Sequence, residues 1–329
     1  MTKTPLEMDY NELNTILDSL LTSQNLPSSL YYKGDHINYR RQQRLRILFT
    51  AVKRLFQAQR FYMKEMKTKI NALQTTGTAY HLLKQTRCLK NLRTYLYLSK
   101  IGLTDISSRF GGRFNDQIFA DFSVATMLYD AAFDIPYCQR YLKDFDHMIM
   151  TEQPIESTDP YLRIFQESVD HIQKSIPEST ATEFFTLIKI EHISQLMSIY
   201  QQSDKHSSKD ILLKITFAKG GISGLALMLL MAPKMTPVQR RVIYELGAVL
   251  QLVDDISDIT EDTKAGIQTL PNQRLISYQE LKELYYGTIN NLIDVCHMNP
   301  EQPNETLDML CWFADIILEK RYKRFAVLE

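Results

Sequence analysis

The sequence predicts an all-α protein, and three observations carry that expectation. Gly and Pro number only 11 each in 329 residues, too few turn residues for the many short strands of an all-β fold. No stretch alternates β-branched and polar residues between turn signals, whereas apolar residues recur at helical spacing along much of the chain. Helix starts are also marked: Thr180-Ala-Thr-Glu183, Thr236-Pro237-Val-Gln239 and Ser277-Tyr-Gln-Glu280 each fit a capping box, and Asp159-Pro160 opens a further helix.

Taken in order, the chain begins with MTKTPLEMDYNEL, which lacks the apolar core of a signal peptide. Residues 31–110 are strongly basic, with 17 Lys or Arg against three acids, although the whole chain has a net charge of zero. Within them Ile47, Leu48, Val52, Leu55 and Phe56 keep helical spacing and leave the charges to the other faces. Next, "FADFSVATMLYDAAFDIPYCQRYL" reads as an apolar helix that ends before Pro136, because proline disfavours helical geometry at Ile135. The apolar segment "LLKITFAKGGISGLALML" is expected to break at Gly220, Gly221 and Gly224, each about 1 kcal/mol less favourable than Ala within a helix. A capped helix then runs from Pro237 through "VQRRVIYELGAVLQLVDDISDITED", another starts at Ser277, and "WFADIILEKRYKRF" closes the chain. Loops fall near 22–38, 104–117, 151–159, 202–208, 265–276 and 298–304, too short and evenly spread to mark a boundary, so 1–329 reads as one all-α domain.

Composition narrows the function classes. A hydrophobic share of 44% builds a sizeable core. The four cysteines are far apart and suggest neither a disulfide scaffold nor a zinc site, which fits a reducing, cytoplasmic setting. The longest apolar run, Leu225–Pro233, is far short of a membrane span, so no transmembrane segment is expected.

The chemistry concentrates at the end of the Pro237 helix. Ile243, Leu246, Val249, Leu250, Leu252, Val253, Ile256 and Ile259 cover an arc of roughly 200° at helical spacing. Asp254, Asp258 and Asp262 follow one another at i, i+4 and i+8, a stripe about 12 Å long on the remaining face, joined by Asp255 and Gln251. Carboxylates at this spacing repel, and on so apolar a helix they are expected to line a cleft where a cation joins them. Mg²⁺ suits such a site, because it takes one or two carboxylates and completes its shell with water and phosphate oxygens. The plainer reading is an acidic, solvent-facing edge. Asp130 and Asp134 form a second i, i+4 pair at the end of an apolar helix, where chance surface acids are the alternative.

These stretches resemble the class I isoprenoid synthases: terpene synthases, chain-elongating prenyl diphosphate synthases and squalene/phytoene synthases. "GAVLQLVDDISD" matches the GxxxQxxDDxxD motif of the elongators at Gly247, Gln251, Asp254, Asp255 and Asp258. Asp254, Asp258 and Asp262 occupy the spacing of the terpene synthase metal triad, and "QLVDDISDITEDTKAGIQTLP" also looks like the second motif of squalene/phytoene synthases, with Asp254 in place of Asn. The resemblance implies a helical bundle with a central cavity, three Mg²⁺ ions held by Asp130, Asp134 and the Asp254, Asp255, Asp258 and Asp262 cluster, and a prenyl diphosphate substrate. It implies diphosphate contacts from among Lys214, Lys219, Lys264, Arg140 and the Arg321-Tyr322 pair. Gly220, Gly221 and Gly224 resemble the broken helix of this superfamily, and Tyr129, Phe133, Phe217 and Gln251 are its candidate cavity lining.

The departures from pattern choose among subfamilies. Chain elongators carry DDxxD followed by paired arginines, whereas this chain has Ala131 at the second aspartate and Gln139-Arg140 at the pair. The expected activity is therefore Mg²⁺-dependent ionisation of a prenyl diphosphate to a carbocation that gives a cyclic terpene, with prenyl transfer as the alternative. A homodimer is admitted, and no nucleic-acid partner is expected. The contrasting reading is a non-enzymatic helical adaptor that binds nucleic acid or an anionic membrane through the basic 31–110 region.

Overall fold

The computed structural model describes residues 4–27, 100, 102–202, 207–299, 302, 304–313, 318 and 322. Apart from Lys100 and residues 102–110, the basic 31–110 region therefore lies outside the described residues, as does Arg321. Among the described residues the protein is all-α, with no strand. The helices are α1 (Tyr10–Ser23), α2 (Asp116–Asp134), α3 (Leu142–Thr151), α4 (Pro160–Ser175), α5 (Glu178–Ser198), α6 (Lys209–Met231), α7 (Pro237–Ser257), α8 (Ile259–Ala265), α9 (Tyr278–Val295) and α10 (Glu305–Phe313). Contacts divide the chain into two compact units: Met1–Ile47, Thr186–Met228 and Met235–Glu329 form one, and Leu48–Phe185 with Leu229–Lys234 form the other.

The cap signals are realised at three of the four starts named from sequence. Thr236 and Gln239 form a reciprocal capping box at α7, as Ser277 and Glu280 do at α9, and the Asp159 carboxylate accepts from the Tyr161 N–H ahead of Pro160. Thr180 is the exception. Helix α5 starts three residues earlier than that box implies, at Glu178 rather than Ala181, because the Pro177 carbonyl already accepts from the Ala181 N–H, and Thr180 becomes a buried residue of the first turn. The loop expected over 104–117 is likewise shorter, since residues 102–109 are helical.

In the unit built on 48–185, α2 is buried almost all round from Ile118 to Ala132 and packs along α4. The Tyr161 hydroxyl of α4 donates to the Leu128 carbonyl of α2, and the His171 ring nitrogen meets the fully buried Asp121. Tyr129, Phe145, Phe165 and Tyr161 form the aromatic core between α2, α3 and α4.

Helix α6, which lies in the other unit up to Met228, is one continuous helix of 23 residues, and the break expected at Gly220, Gly221 and Gly224 does not occur. These glycines serve helix contact instead. A Cβ on Gly220 would lie 2.5 Å from the Gly247 carbonyl oxygen of α7, and one on Gly247 would lie 2.2 Å from the Gly220 oxygen. The Tyr244 ring occupies the space where a side chain at Gly221 would stand. The helical penalty of glycine is offset by backbone-to-backbone packing, so α6 stays intact. By length and composition α6 could cross a membrane, but 61% of its most apolar window is buried inside the protein, as befits a core helix. On its other side α7 packs along α9, where Glu245 accepts from both Arg241 and Asn291.

Candidate active site

The acidic stretch bridges α7 and α8 rather than lying on one helix. At Asp258 the backbone leaves helical geometry (φ −107°, ψ 10°), ending α7 and starting α8. The i, i+4 bonds nevertheless carry through the junction: the Asp258 N–H donates to the Asp254 carbonyl at 3.0 Å and the Asp262 N–H to the Asp258 carbonyl at 2.8 Å. The order of the stripe is kept, with a bend at its middle. Gly266, at φ +71°, then closes α8 in the left-handed conformation that glycine adopts without strain.

The acids on this ridge differ in environment. Asp254 and Asp258 are exposed, whereas Asp255 and Asp262 are partly buried. Asp255 is fixed by two hydrogen bonds, from Gln251 of its own helix at 3.2 Å and from the Thr216 hydroxyl of α6 at 3.3 Å. Burial pushes its carboxyl up to about 6 against the pull of Gln251, Lys219 and Thr216. Asp262 is pushed up to about 7, first by burial and then by the charges of Asp258 and Asp254. The stripe thus repels itself, as its spacing predicts.

Among the described residues, Lys219 of α6 is a cation whose charge acts on this cluster. Its charge lowers the carboxyl pKa of Asp255, Asp262 and also Glu191 of α5. Among the described residues it forms no ion pair of its own. Lys214, the other candidate on α6, points elsewhere. Its ammonium bonds to Asn14 at 2.9 Å and pairs with Asp18 at 2.8 Å, tying α6 to α1. The reason is helical geometry: Lys214 and Thr216 are two residues apart, so when Thr216 meets Asp255 of α7, Lys214 faces a different neighbour. Lys264 is exposed on α8 beyond the ridge. The Tyr322 phenol is buried and donates to the Ile276 carbonyl.

Asp130 and Asp134 belong to the other unit. They occupy the last turn of α2, one partly buried and one exposed, and Ile135 is extended ahead of Pro136 (φ −111°, ψ 114°), as the proline predicts. Tyr129 is buried between the rings of Phe133 and Phe145, at 5.1 and 5.8 Å. Arg140 stacks over Tyr137 and Tyr141 and lies 3.7 Å from Asp159. Phe217, on α6 of the first unit, is fully buried.

Comparisons with protein-family models, curated proteins and solved structures return no match. The chemistry of the site therefore rests on its own residues. The acids on the ridge offer carboxylate oxygens, and the charges of Asp258 and Asp254 add to burial in raising the Asp262 carboxyl, so the donor set fits a hard divalent cation. Among the described residues no three His, Cys, Asp or Glu side chains converge on one point. An ion here would take one or two carboxylates and draw its remaining oxygens from water or a phosphate-bearing ligand.

Three participants were not legible as site residues in the sequence: Thr216 as the partner of Asp255, and Glu191 with Ser223. Glu191 did carry a signal. It is an acid within "LIKIEHISQLM", where Leu187, Ile190, Ile193 and Leu196 are all at most 2% exposed.

Proposed function

We propose that this protein is a Mg²⁺-dependent class I terpene synthase, ionising a prenyl diphosphate and releasing diphosphate to give a cyclic terpene. The observation that supports this reading best is the Lys219 ammonium of α6, which forms no ion pair among the described residues and whose charge acts on Asp255 of α7 and Asp262 of α8. Among the described residues, several carboxylates lie along one ridge with a lysine that forms no ion pair, an arrangement that suits a ligand made of divalent metal and a polyanion.

In this reading Asp254, Asp258 and Asp262 would hold Mg²⁺, and the motif resemblance gives Asp130 and Asp134 the same role. When bound, Mg²⁺ supplies Lewis-acid neutralisation of the diphosphate oxygens. Lys219 donates hydrogen bonds to the departing diphosphate as its C–O bond breaks and the electron pair leaves with oxygen. Asp255, clamped by Gln251 and Thr216, fixes α6 against α7 and so fixes Lys219 relative to the ridge. The allylic cation survives where water is excluded, and aromatic faces attract it by about 0.5–2 kcal/mol each.

The activity is tested by incubation with prenyl diphosphates of ten to twenty-five carbons, with and without isopentenyl diphosphate, followed by mass spectrometry. A terpene hydrocarbon or alcohol and free diphosphate are expected, with no effect of isopentenyl diphosphate. Longer prenyl diphosphates as the main product would assign the protein to the elongating branch, for which the GxxxQxxDDxxD match speaks and Ala131 does not. A binding test is independent of turnover. Mg²⁺ and inorganic diphosphate together are expected to raise the melting temperature far more than either alone, with about 2.7 kcal/mol of stabilisation at a hundredfold excess over Kd. Equal stabilisation by diphosphate without metal would make the site a simple anion pocket.

A further inference from the structure

We propose that Glu191 is a positioning residue that, anchored by Ser223, holds the Lys219 ammonium at the acidic ridge, where it meets the anionic end of the ligand. This inference rests on the diphosphate-binding reading above and adds to it a residue from a helix that carries none of the motifs.

The geometry lies along one edge of α6. Thr216, Lys219 and Ser223 follow at three- and four-residue steps, so their side chains share a face. At one end of this edge Thr216 donates to Asp255 of α7, and at the other the Ser223 hydroxyl donates to the Glu191 carboxylate of α5. Lys219 stands on this edge between Thr216 and Ser223, the two residues that hold these acids, and its charge acts on both. A lysine side chain has four rotatable bonds and loses rotamer freedom when it is held in one place. Flanking acids that are themselves hydrogen-bonded confine it without forming an ion pair that a ligand would have to break. Gly220, next in sequence, lets α7 approach closely enough to bring Asp255 into the arrangement.

Glu191 does not meet the ligand directly, because a carboxylate repels diphosphate. Its effect runs through the lysine. Burial pushes its carboxyl up to about 7, with Ser223 and Lys219 opposing that rise, so the chain keeps an acid where an apolar residue would be easier to bury.

The test is a double-mutant cycle on the full chain, reading the Kd of inorganic diphosphate in the presence of Mg²⁺ by calorimetry. Lys219→Ala and Glu191→Gln are each expected to weaken binding about tenfold, and the double variant no further than Lys219→Ala alone. A general loss of packing would weaken binding equally in both backgrounds, so additive effects overturn the proposal. Ser223→Ala, which frees Glu191 while keeping its charge, runs the same cycle should Glu191→Gln fail to fold, with an expected loss of about threefold that also vanishes without Lys219. Wild-type binding by Glu191→Gln alongside weakened binding by Lys219→Ala overturns the positioning role and leaves the site reading intact. Wild-type binding by Lys219→Ala, or no binding of Mg²⁺ and diphosphate by the wild type, overturns the site reading and the positioning role with it.

Discussion

Asp258→Asn is expected to lower Mg²⁺-dependent diphosphate release by at least about a hundredfold while leaving the helical circular dichroism unchanged. The substitution keeps the shape of the side chain and removes one charge. The backbone bonds through the junction run from the Asp258 N–H to Asp254 and from the Asp262 N–H to the Asp258 carbonyl, and neither uses the carboxylate. Folding should therefore survive. What changes is the field on the ridge, because Asp258 is the first of the charged neighbours that push up the Asp262 carboxyl. Without it Asp262 ionises more readily, yet the ridge offers one fewer oxygen anion to a divalent cation. Loss of activity with an intact fold is the signature of a ligand site. Wild-type diphosphate release by this variant would return the ridge to the plain reading of an acidic surface.

The second large effect concerns stability. Gly247→Ala is expected to destabilise the protein by about 2 kcal/mol or more in chemical denaturation, despite a gain of about 1 kcal/mol in helix propensity. Its Cβ would stand 2.2 Å from the Gly220 carbonyl oxygen and 3.2 Å from the Gly221 Cα, and neither atom can rotate away. The helices must separate. Gly224→Ala provides the contrast, since its Cβ would meet nothing closer than the Gly247 Cα at 3.2 Å, and it should remain within about 1 kcal/mol of wild type. Equal effects at the two positions would mean that α6 and α7 are not packed backbone to backbone. Because Thr216 and Asp255 meet across the same interface, Gly247→Ala should also weaken Mg²⁺-diphosphate binding, which links the glycine contact to the site.

The helical class, most of the caps and the order of acids along the ridge were determined by the sequence alone, because each depends on residues within about four positions of one another. Thr236 needs only Gln239, Ile135 needs only Pro136, and Asp254, Asp258 and Asp262 need only the helical repeat. The tertiary structure decided whatever depends on a neighbour far along the chain. Three glycines in α6 read locally as a break, since their propensity penalty is local while the compensating contact comes from Gly247 on α7. Lys214 and Lys219 are equivalent in sequence, five residues apart on one helix. Asn14 and Asp18 of α1 claim the first, while the charge of the second acts on Asp255, Asp262 and Glu191. Glu191 itself reads locally as an isolated acid on an apolar helix, and it gains a role only where Ser223 of α6 reaches it. A side chain's secondary structure is set by its near neighbours, and its charge partners are set by which helices fold against it.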